Sequence, residues 1–461
     1  MPNQTAQTVP FRTVIALGLM FFAVFMGAGN IIFPPLLGQQ SGTAFPLAMI
    51  GFLLTGVGLP ALALVAVSRV GGLERLSARV GHAFGVVFTV LAYLLIGPSF
   101  GIPRTATVSY EVGVAPLLPN AGDSQWPLVL YALVFFIITL VLAANPTKIV
   151  DWIGKMLAPV LVLVIAVFAI KALINPLGGF GEPVGDYSNA ALQTGFVQGY
   201  LTVDAVAALV LGILVVSGFA GVGVTNPTII RRKMPWVVLV MSIGLSLVYI
   251  SLGYIGATSR SAVGEQDNGG ALLAEVSRAL FGDIGGALLA AVIIMACLTT
   301  SIGLVSSMAE FFSELVPKVS YRVWAFVFSV IGFLFANVGL DALIALALPM
   351  LMAVYPVTLV LVLLYFFEKL FRGDRLVYRL AVIFTAVISV LGGLKEAGLG
   401  GDAVDSILNA LPWGADGLGW VVPALAGLAI GVVLHFVLGR HDQDHTARLD
   451  ARMKEKSGAT L

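Results

Sequence analysis

Long apolar stretches separated by short polar segments run along almost the whole chain. A helix needs about 20 mostly apolar residues to cross a bilayer. By this criterion we predict twelve spans, at 12–38, 43–68, 83–107, 127–145, 152–174, 190–219, 235–257, 283–309, 322–338, 341–367, 376–394 and 418–439. Spans 9 and 10 are divided within 337–341, where polar and flexible residues favour a turn. The pattern predicts an all-α polytopic membrane protein.

The composition supports a lipid environment. Of the 461 residues, 59% are hydrophobic and 11% are charged, whereas soluble domains carry about 25% charged residues. There is too little polar surface to cover such a core in water, which excludes soluble, fibrous and disordered proteins. The net charge of +1 gives no reason to expect nucleic acid as a partner. The single cysteine, Cys297, and the four histidines form no cluster with metal-ligand spacing.

The basic residues predict the orientation in the membrane. Twelve spans place both termini on one side. If that side is the cytoplasm, all but five of the 25 Lys and Arg residues lie on it, the exceptions being Arg104, Lys171, Arg260, Arg278 and Lys395. This bias follows the positive-inside rule and predicts cytoplasmic termini. We expect a single transmembrane domain at 1–439 and a solvated cytoplasmic tail at 440–461.

Predicted span 1 contains residues that interrupt a helix. Gly27-Ala28-Gly29-Asn30 is followed by Pro34-Pro35. Broken backbone inside a membrane is tolerated where it lines a cavity. Freed N–H groups at the start of a half-helix suit a carboxylate, and freed carbonyls suit a cation such as Na⁺. The alternative is that these small residues permit close helix packing.

Predicted span 6 contains Tyr200-Leu201-Thr202-Val203-Asp204. Asp204 is the carboxylate that falls clearly inside a predicted span, and an ionisable group at that depth indicates a functional site. The alternative is a helix that begins near Tyr200 and leaves Asp204 one turn below the outer surface.

Predicted span 8 contains three consecutive hydroxyl residues, in Ala296-Cys297-Leu298-Thr299-Thr300-Ser301. Hydroxyl and carbonyl oxygens are hard ligands that suit Na⁺. The alternative is that the hydroxyls bond back to their own helical turn, as Ser and Thr in membrane helices often do.

The spacing of the interruptions indicates an internal repeat. Spans 1 and 6 are five helices apart, which is typical of two inverted five-helix repeats with a binding site near the midplane. We predict the first repeat at about 12–174, the second at about 190–367 and two additional helices at about 376–439.

Three segments, GAGNIIFPP (27–35), GPSFGIPRT (97–105) and GYLTVD (199–204), resemble signatures of bacterial branched-chain amino acid:cation symporters. The resemblance covers nearly the whole chain. It implies the LeuT-like fold of the amino acid–polyamine–organocation superfamily, a 5+5 inverted repeat with discontinuous helices 1 and 6. It also implies a transporter rather than an enzyme, located in the bacterial cytoplasmic membrane. The expected activity is uptake of leucine, isoleucine and valine, with Na⁺ as coupling ion and no cofactor.

The resemblance also implies roles for individual residues in substrate binding. Gly27, Ala28 and Gly29 match the unwound segment whose N–H groups receive the substrate carboxylate. Thr202 and Asp204 fall in the break of span 6, where the substrate amine or the cation is met. An aspartate at this position is not general in the superfamily.

A Na⁺ site is implied between spans 1 and 8. Its ligands would be the carbonyls of Ala23, Met26 and Ala296 and the hydroxyls of Thr299 and Thr300. Asn30 resembles a residue that binds a second Na⁺ in some relatives.

Other interpretations remain open at this point. Arg104 lies near the outer end of predicted span 3, with Glu111 seven residues further on. The two are candidates for a gate pair, the alternative being a structural arginine that snorkels to the surface. Proton coupling with Asp204 as the carrier is the rival mechanism. A membrane-embedded enzyme would need a nucleophile or metal constellation within the spans, and no intramembrane His/Asp pair is present in the sequence.

Overall fold

A computed structural model describes residues 9–118, 124–144 and 148–438. The predicted tail at 440–461 lies outside the described residues. The described residues form helices and no strand. Seven of their helical stretches are long and apolar enough to cross a membrane by length and composition alone, and shorter apolar helices accompany them.

The predicted number of spans is confirmed by the order of these helices. Spans 1, 2, 3, 6 and 8 occupy 11–41, 45–70, 82–113, 187–221 and 283–315 and contain breaks or kinks. The remaining spans are Trp126–Ala144 (4), Lys148–Ile174 (5), Pro227–Ala257 (7), Tyr321–Ala336 (9), Leu340–Phe367 (10), Arg375–Glu396 (11) and Val421–Val437 (12).

The packing of the spans has the symmetry expected of two repeats. Spans 1 and 7 pack together, and their repeat counterparts, spans 6 and 2, do the same. Span 4 packs on span 8, and the counterparts of these two, spans 9 and 3, also pack together. Spans 1, 2, 6 and 7 thus form one group of four helices, and spans 3, 4, 8 and 9 form another. Span 5 contacts both groups, while span 11 packs between spans 10 and 12. The two broken spans, 1 and 6, therefore belong to the same group of four helices. Spans 3 and 8 belong to the second group and face the first.

Span 1 is broken where its glycines predict. Helix 1a is Phe11–Phe25 and helix 1b is Ala28–Ser41. The N–H of Gly27 donates to the carbonyl of Phe25 at 2.8 Å, whereas in a continuous helix it would donate to Ala23. The carbonyl of Ala23 is thereby released from the helical pattern at the break.

Span 6 is broken between helix 6a, Tyr187–Gln198, and helix 6b, Asp204–Val210, which continues as Gly212–Gly221. A 3₁₀ turn at Gly199–Thr202 ends the first half. Val203 then adopts a left-handed conformation with φ 65° and ψ 5°. A β-branched residue rarely adopts this conformation, so the break has a fixed and strained shape.

Close packing of small residues does occur around helix 1b. A β-carbon at Gly256 would lie 1.9 Å from the carbonyl oxygen of Pro35, and one at Gly269 would lie 1.8 Å from that of Ile32. Helix 1b therefore meets span 7 and the segment before span 8 backbone to backbone. At Gly27 the nearest neighbours of such a β-carbon lie 3.6 Å away, which is an ordinary van der Waals distance. Close packing therefore does not explain why residue 27 is a glycine.

Several predicted boundaries were wrong, and span 3 matters most. It extends to Gly113 instead of 107 and contains a π-helical turn at Leu95–Ser99. Gly97 within this turn is non-helical, with φ −83° and ψ −111°. Arg104 consequently lies well inside the span. Span 7 begins at Pro227 instead of 235, because the side chain of Asn226 caps it by accepting from the N–H of Thr228 at 2.9 Å.

Candidate functional site

Asp204 lies where the two broken spans meet. Its side chain is buried, with 4% of the residue exposed. Oδ2 accepts hydrogen bonds from the side-chain amide of Asn30 at 2.6 Å and from the hydroxyl of Tyr249 at 2.8 Å. Span 6 begins at Tyr187 and not near Tyr200, so the alternative that leaves Asp204 one turn from the start of the span is wrong, although Asp204 is the first residue of helix 6b. The carboxylate joins spans 1, 6 and 7.

Asn30 links this carboxylate to the start of helix 1b. Its Oδ1 accepts from the N–H of Gly27 at 3.2 Å, while its Nδ2 donates to Asp204. A backbone N–H is only a donor and an ionised carboxylate is only an acceptor, so the orientation of the amide is fixed by its neighbours. The amide oxygen predicted to bind a second Na⁺ is thus already engaged in capping helix 1b.

The predicted carboxylate-binding segment is Gly27-Ala28-Gly29. Gly27 immediately precedes helix 1b, and Ala28 and Gly29 are the first two residues of that helix. Gly27 is the N-cap residue, and its N–H already donates to Phe25 and Asn30. The N–H groups of Ala28 and Gly29 belong to the first turn, which has no acceptor within the helix. The positive end of the helix dipole lies at the same place. This turn suits an anion.

Arg104 is buried at the other side of helix 1b, with 6% of the residue exposed. Its guanidinium donates to the carbonyl of Leu201 and, at 3.3 Å, to that of Thr202. It also lies against Gly29, where a β-carbon would come within 2.6 Å of Nη1. The interpretation of Arg104 as a snorkelling residue at the outer end of its helix is therefore wrong. Arg104 belongs to the same constellation as Asp204.

Glu111 does not join this constellation. In the described part of the chain it forms no ion pair with Arg104. Seven residues separate the two by about 10 Å along a helix, and the guanidinium is turned toward span 6. Glu111 instead packs near Gly270, whose β-carbon would lie 3.0 Å from that of Glu111. The role of these two residues as a gate stays a prediction.

Thr300 of span 8 faces the break of span 1, whereas the hydroxyl of Ser301 accepts from that of Thr139 in span 4 at 3.3 Å. The Oγ1 atoms of Thr299 and Thr300 each donate to the carbonyl of Ala296 at 2.9 Å. The side chain of Thr300 lies beside Gly27, with its Oγ1 at 3.9 Å from the position of a β-carbon there. A hydroxyl that donates one hydrogen bond keeps lone pairs for a cation. Thr299 and Thr300 thus bond back to their own helical turn, as the alternative interpretation expected. Their hydroxyl oxygens remain able to bind an ion.

Two tyrosines complete the site and were missed by the sequence analysis. Tyr249 is a donor to Asp204, and the hydroxyl of Tyr355 accepts from the N–H of Ala205 at 3.1 Å. Tyr355 also stacks on Tyr200, with ring centroids 4.5 Å apart. A buried carboxylate needs hydrogen-bond donors. The need of Asp204 for donors is the signal that the sequence offers. It does not identify which tyrosines supply the hydrogen bonds.

The fold of the chain is similar to that of solved transporters. One is the nucleobase-cation-symport-1 family transporter Mhp1 in a closed conformation with bromovinylhydantoin bound. It has a TM-score of 0.61 and 14% identity, with 95% of this chain and 96% of Mhp1 covered. MhsT in complex with L-phenylalanine has a TM-score of 0.50 and 16% identity, with 91% and 98% covered. At these identities the likeness shows the fold alone.

The helices form a multi-pass membrane protein with a LeuT-like fold. The matching family, with its permeases and carriers, shows that the protein is a transporter and not an enzyme. The chain belongs to the branched-chain amino acid transport protein family, whose model matches residues 11–438. Among its relatives, the branched-chain amino acid permease BraB of Bacillus subtilis is 41% identical over 438 residues, which cover 95% of this chain and 98% of BraB.

Other members of the family match over similar lengths. The branched-chain amino acid transport system 2 carrier protein of Pseudomonas aeruginosa is 42% identical, with 93% of this chain and 97% of the relative covered. The permease BrnQ of Escherichia coli K12 is 39% identical, also with 93% and 97% covered. The expected family is therefore confirmed over nearly the whole chain.

Proposed function

We propose that this protein takes up leucine, isoleucine and valine by symport with Na⁺, through alternating access to one site at the two helix breaks. The observation that carries the proposal is the meeting of both breaks at Asp204, which Asn30 of span 1 and Tyr249 of span 7 hold by hydrogen bonds. The names of the relatives, which are branched-chain amino acid permeases and carriers, support the substrate class.

The substrate is a zwitterion, and the site offers a partner for each of its charges. The N–H groups at the start of helix 1b, at Ala28 and Gly29, bind the carboxylate. Asp204 binds the ammonium group, because both of its described side-chain donors reach Oδ2 and a carboxylate has a second oxygen that accepts hydrogen bonds. Thr202 supports this arrangement, since its hydroxyl accepts from the N–H of Asp204 at 3.4 Å. The apolar side chains around the breaks receive the branched side chain.

The coupling ion binds between spans 1 and 8. Its proposed ligands are the carbonyls of Ala23, Met26 and Ala296 and the hydroxyls of Thr299 and Thr300. The carbonyl of Ala23 is released from helix 1a by the break, and Thr300 lies beside Gly27. An ion in this position holds the unwound segment and so fixes the start of helix 1b, where the carboxylate binds. Ion and substrate then favour each other's binding reciprocally.

The proposed location is the bacterial cytoplasmic membrane with both termini in the cytoplasm. The distribution of Lys and Arg supports this orientation. Each terminus can be tested with a reporter that is active only in the cytoplasm. Activity of the reporter at both ends is expected.

The decisive experiment measures uptake of radiolabelled isoleucine into proteoliposomes that contain the purified protein. Initial rates are compared with an inward Na⁺ gradient, with equal Na⁺ on both sides and with choline in place of Na⁺. We expect the gradient to raise the rate and to concentrate isoleucine inside. Equal initial rates under the three conditions would exclude Na⁺ coupling.

A second candidate mechanism is proton symport with Asp204 as the carrier. The burial of this carboxylate within the spans is the observation that favours it. It predicts uptake driven by an inward proton gradient without Na⁺, and loss of that uptake in Asp204→Asn. The same proteoliposomes distinguish the two mechanisms.

A further inference from the structure

We propose that Arg104 is a direct ligand of the substrate carboxylate, acting together with the first turn of helix 1b. This inference rests on the proposed function, because it concerns the same amino acid substrate. It assigns a binding role to a residue of span 3.

The first argument is the charge of Arg104. Its guanidinium is buried, and in the described part of the chain no carboxylate lies within 4.0 Å of it. Asp204 does not pair with it directly, since the described donors to that carboxylate are Asn30 and Tyr249. A buried charge without a direct counterion is costly. The site therefore favours an anion from outside the protein.

The second argument is the incomplete hydrogen bonding of Arg104. Nη1 and Nη2 donate to the carbonyls of Leu201 and Thr202, which fixes the guanidinium against the break of span 6. Nε is buried and has no hydrogen-bond partner among the described residues. Buried donors are nearly always satisfied in folded proteins. A bound carboxylate supplies the missing acceptor.

The third argument is the position of the guanidinium next to helix 1b. A β-carbon at Gly29 would lie 2.6 Å from Nη1 and 2.9 Å from Nη2. Gly29 belongs to the first turn of helix 1b, so the cation and the positive end of the helix dipole lie side by side. A larger residue at this position would displace the guanidinium. Two sources of positive potential thus converge where the proposed function puts the carboxylate.

The proposal is tested with a pair of ligands that differ only at the carboxylate. Leucinol keeps the ammonium group and the branched side chain of leucine but carries an alcohol. Both affinities are measured by calorimetry on the purified protein in saturating Na⁺. For the wild type we expect leucine to bind roughly 30-fold or more tightly than leucinol, since hydrogen bonds to charged groups are the strong ones.

In Arg104→Gln this preference is expected to fall by roughly tenfold, because leucine loses a charged partner and leucinol does not. In Arg104→Lys we expect an intermediate preference, since lysine keeps the charge but not the planar fork. A merely structural arginine would weaken both ligands equally. A preference that is unchanged in Arg104→Gln, or a wild type that binds the two ligands equally, would overturn the proposal.

Gly29→Ala provides a second test if Arg104→Gln does not fold. It keeps the charge but forces the guanidinium to move, so the preference for leucine should fall here as well. Gly303→Ala is the matched control, because a β-carbon there meets nothing within 4 Å. A preference unchanged in Gly29→Ala would count against the proposal. A wild type that binds no leucine would instead refute the proposed function, which keeps the two failures distinguishable.

Discussion

Asn30 and Asp204 are 174 residues apart in the sequence, and their side chains lie 2.6 Å apart in the structure. The same amide caps the N–H of Gly27. A single side chain therefore connects the start of helix 1b to the carboxylate in the break of span 6. Any ligand that moves one break acts on the other through this hydrogen bond, which provides a direct physical link between the two repeats.

Replacement of Asp204 by asparagine removes the negative charge and keeps the shape of the side chain. We expect the affinity for leucine to fall by roughly 100-fold, because the substrate ammonium loses its charged partner. The measurement is equilibrium binding to the purified protein. Asp186→Asn, at the exposed residue just before helix 6a, is the matched control and should bind normally. Normal leucine affinity in Asp204→Asn would remove Asp204 from the substrate site.

Tyr249→Phe removes one of the two described side-chain donors to Asp204. A hydrogen bond to a charged group contributes about 1.5–3 kcal/mol, so leucine affinity should fall about tenfold or more as the carboxylate loses its orientation. Tyr254→Phe is the control, because this tyrosine lies in the same span but contacts the ring of Phe180. Equal effects of the two substitutions would contradict the role given to Tyr249.

Thr300→Val tests the ion site. The hydroxyl is lost while the size of the side chain is kept, so the Na⁺ concentration for half-maximal uptake should rise about tenfold or more. Thr358→Val is a close geometric control, since Thr358 donates to the carbonyl of Val354 at 3.0 Å just as Thr300 donates to Ala296 at 2.9 Å. An unchanged Na⁺ activation curve at normal expression would show that the ion binds elsewhere.

Gly269→Ala tests the close packing of helix 1b. The added β-carbon would lie 1.8 Å from the carbonyl oxygen of Ile32, and overpacking of this kind costs about 1–3 kcal/mol or more. We expect a melting temperature several degrees lower in thermal unfolding of the solubilised protein. Gly392→Ala, where a β-carbon meets nothing within 4 Å, should melt like the wild type. If both variants melt alike, helix 1b is free to move away from its neighbour.

The breaks of the two spans could be predicted because their causes are local. Glycines flanking a small residue interrupt span 1, and a polar pair, Thr202 and Asp204, marks span 6. The number of spans follows from hydrophobic length in the same way. These features need no knowledge of tertiary contacts, since each depends on a few consecutive residues.

The environment of Arg104 could not be predicted for the opposite reason. Its partners Leu201 and Thr202 are backbone carbonyls almost a hundred residues away, and any residue type supplies a carbonyl. The π-helical turn at Leu95–Ser99 also lies between Arg104 and the start of its span, so helical spacing alone misjudges its depth. Tyr249 was missed because a tyrosine in an apolar helix resembles an ordinary core residue.

Val203 gives the break of span 6 a further property. In its left-handed conformation an L-residue is roughly 1–2 kcal/mol less stable than in a right-handed one, and a glycine would remove that cost. Glycine would also open many other conformations to the break. With valine, the neighbouring carbonyls and the carboxylate of Asp204 are oriented while the chain folds. The entropy of ordering them is then lost in folding and not on each binding event, which leaves the substrate a preorganised site.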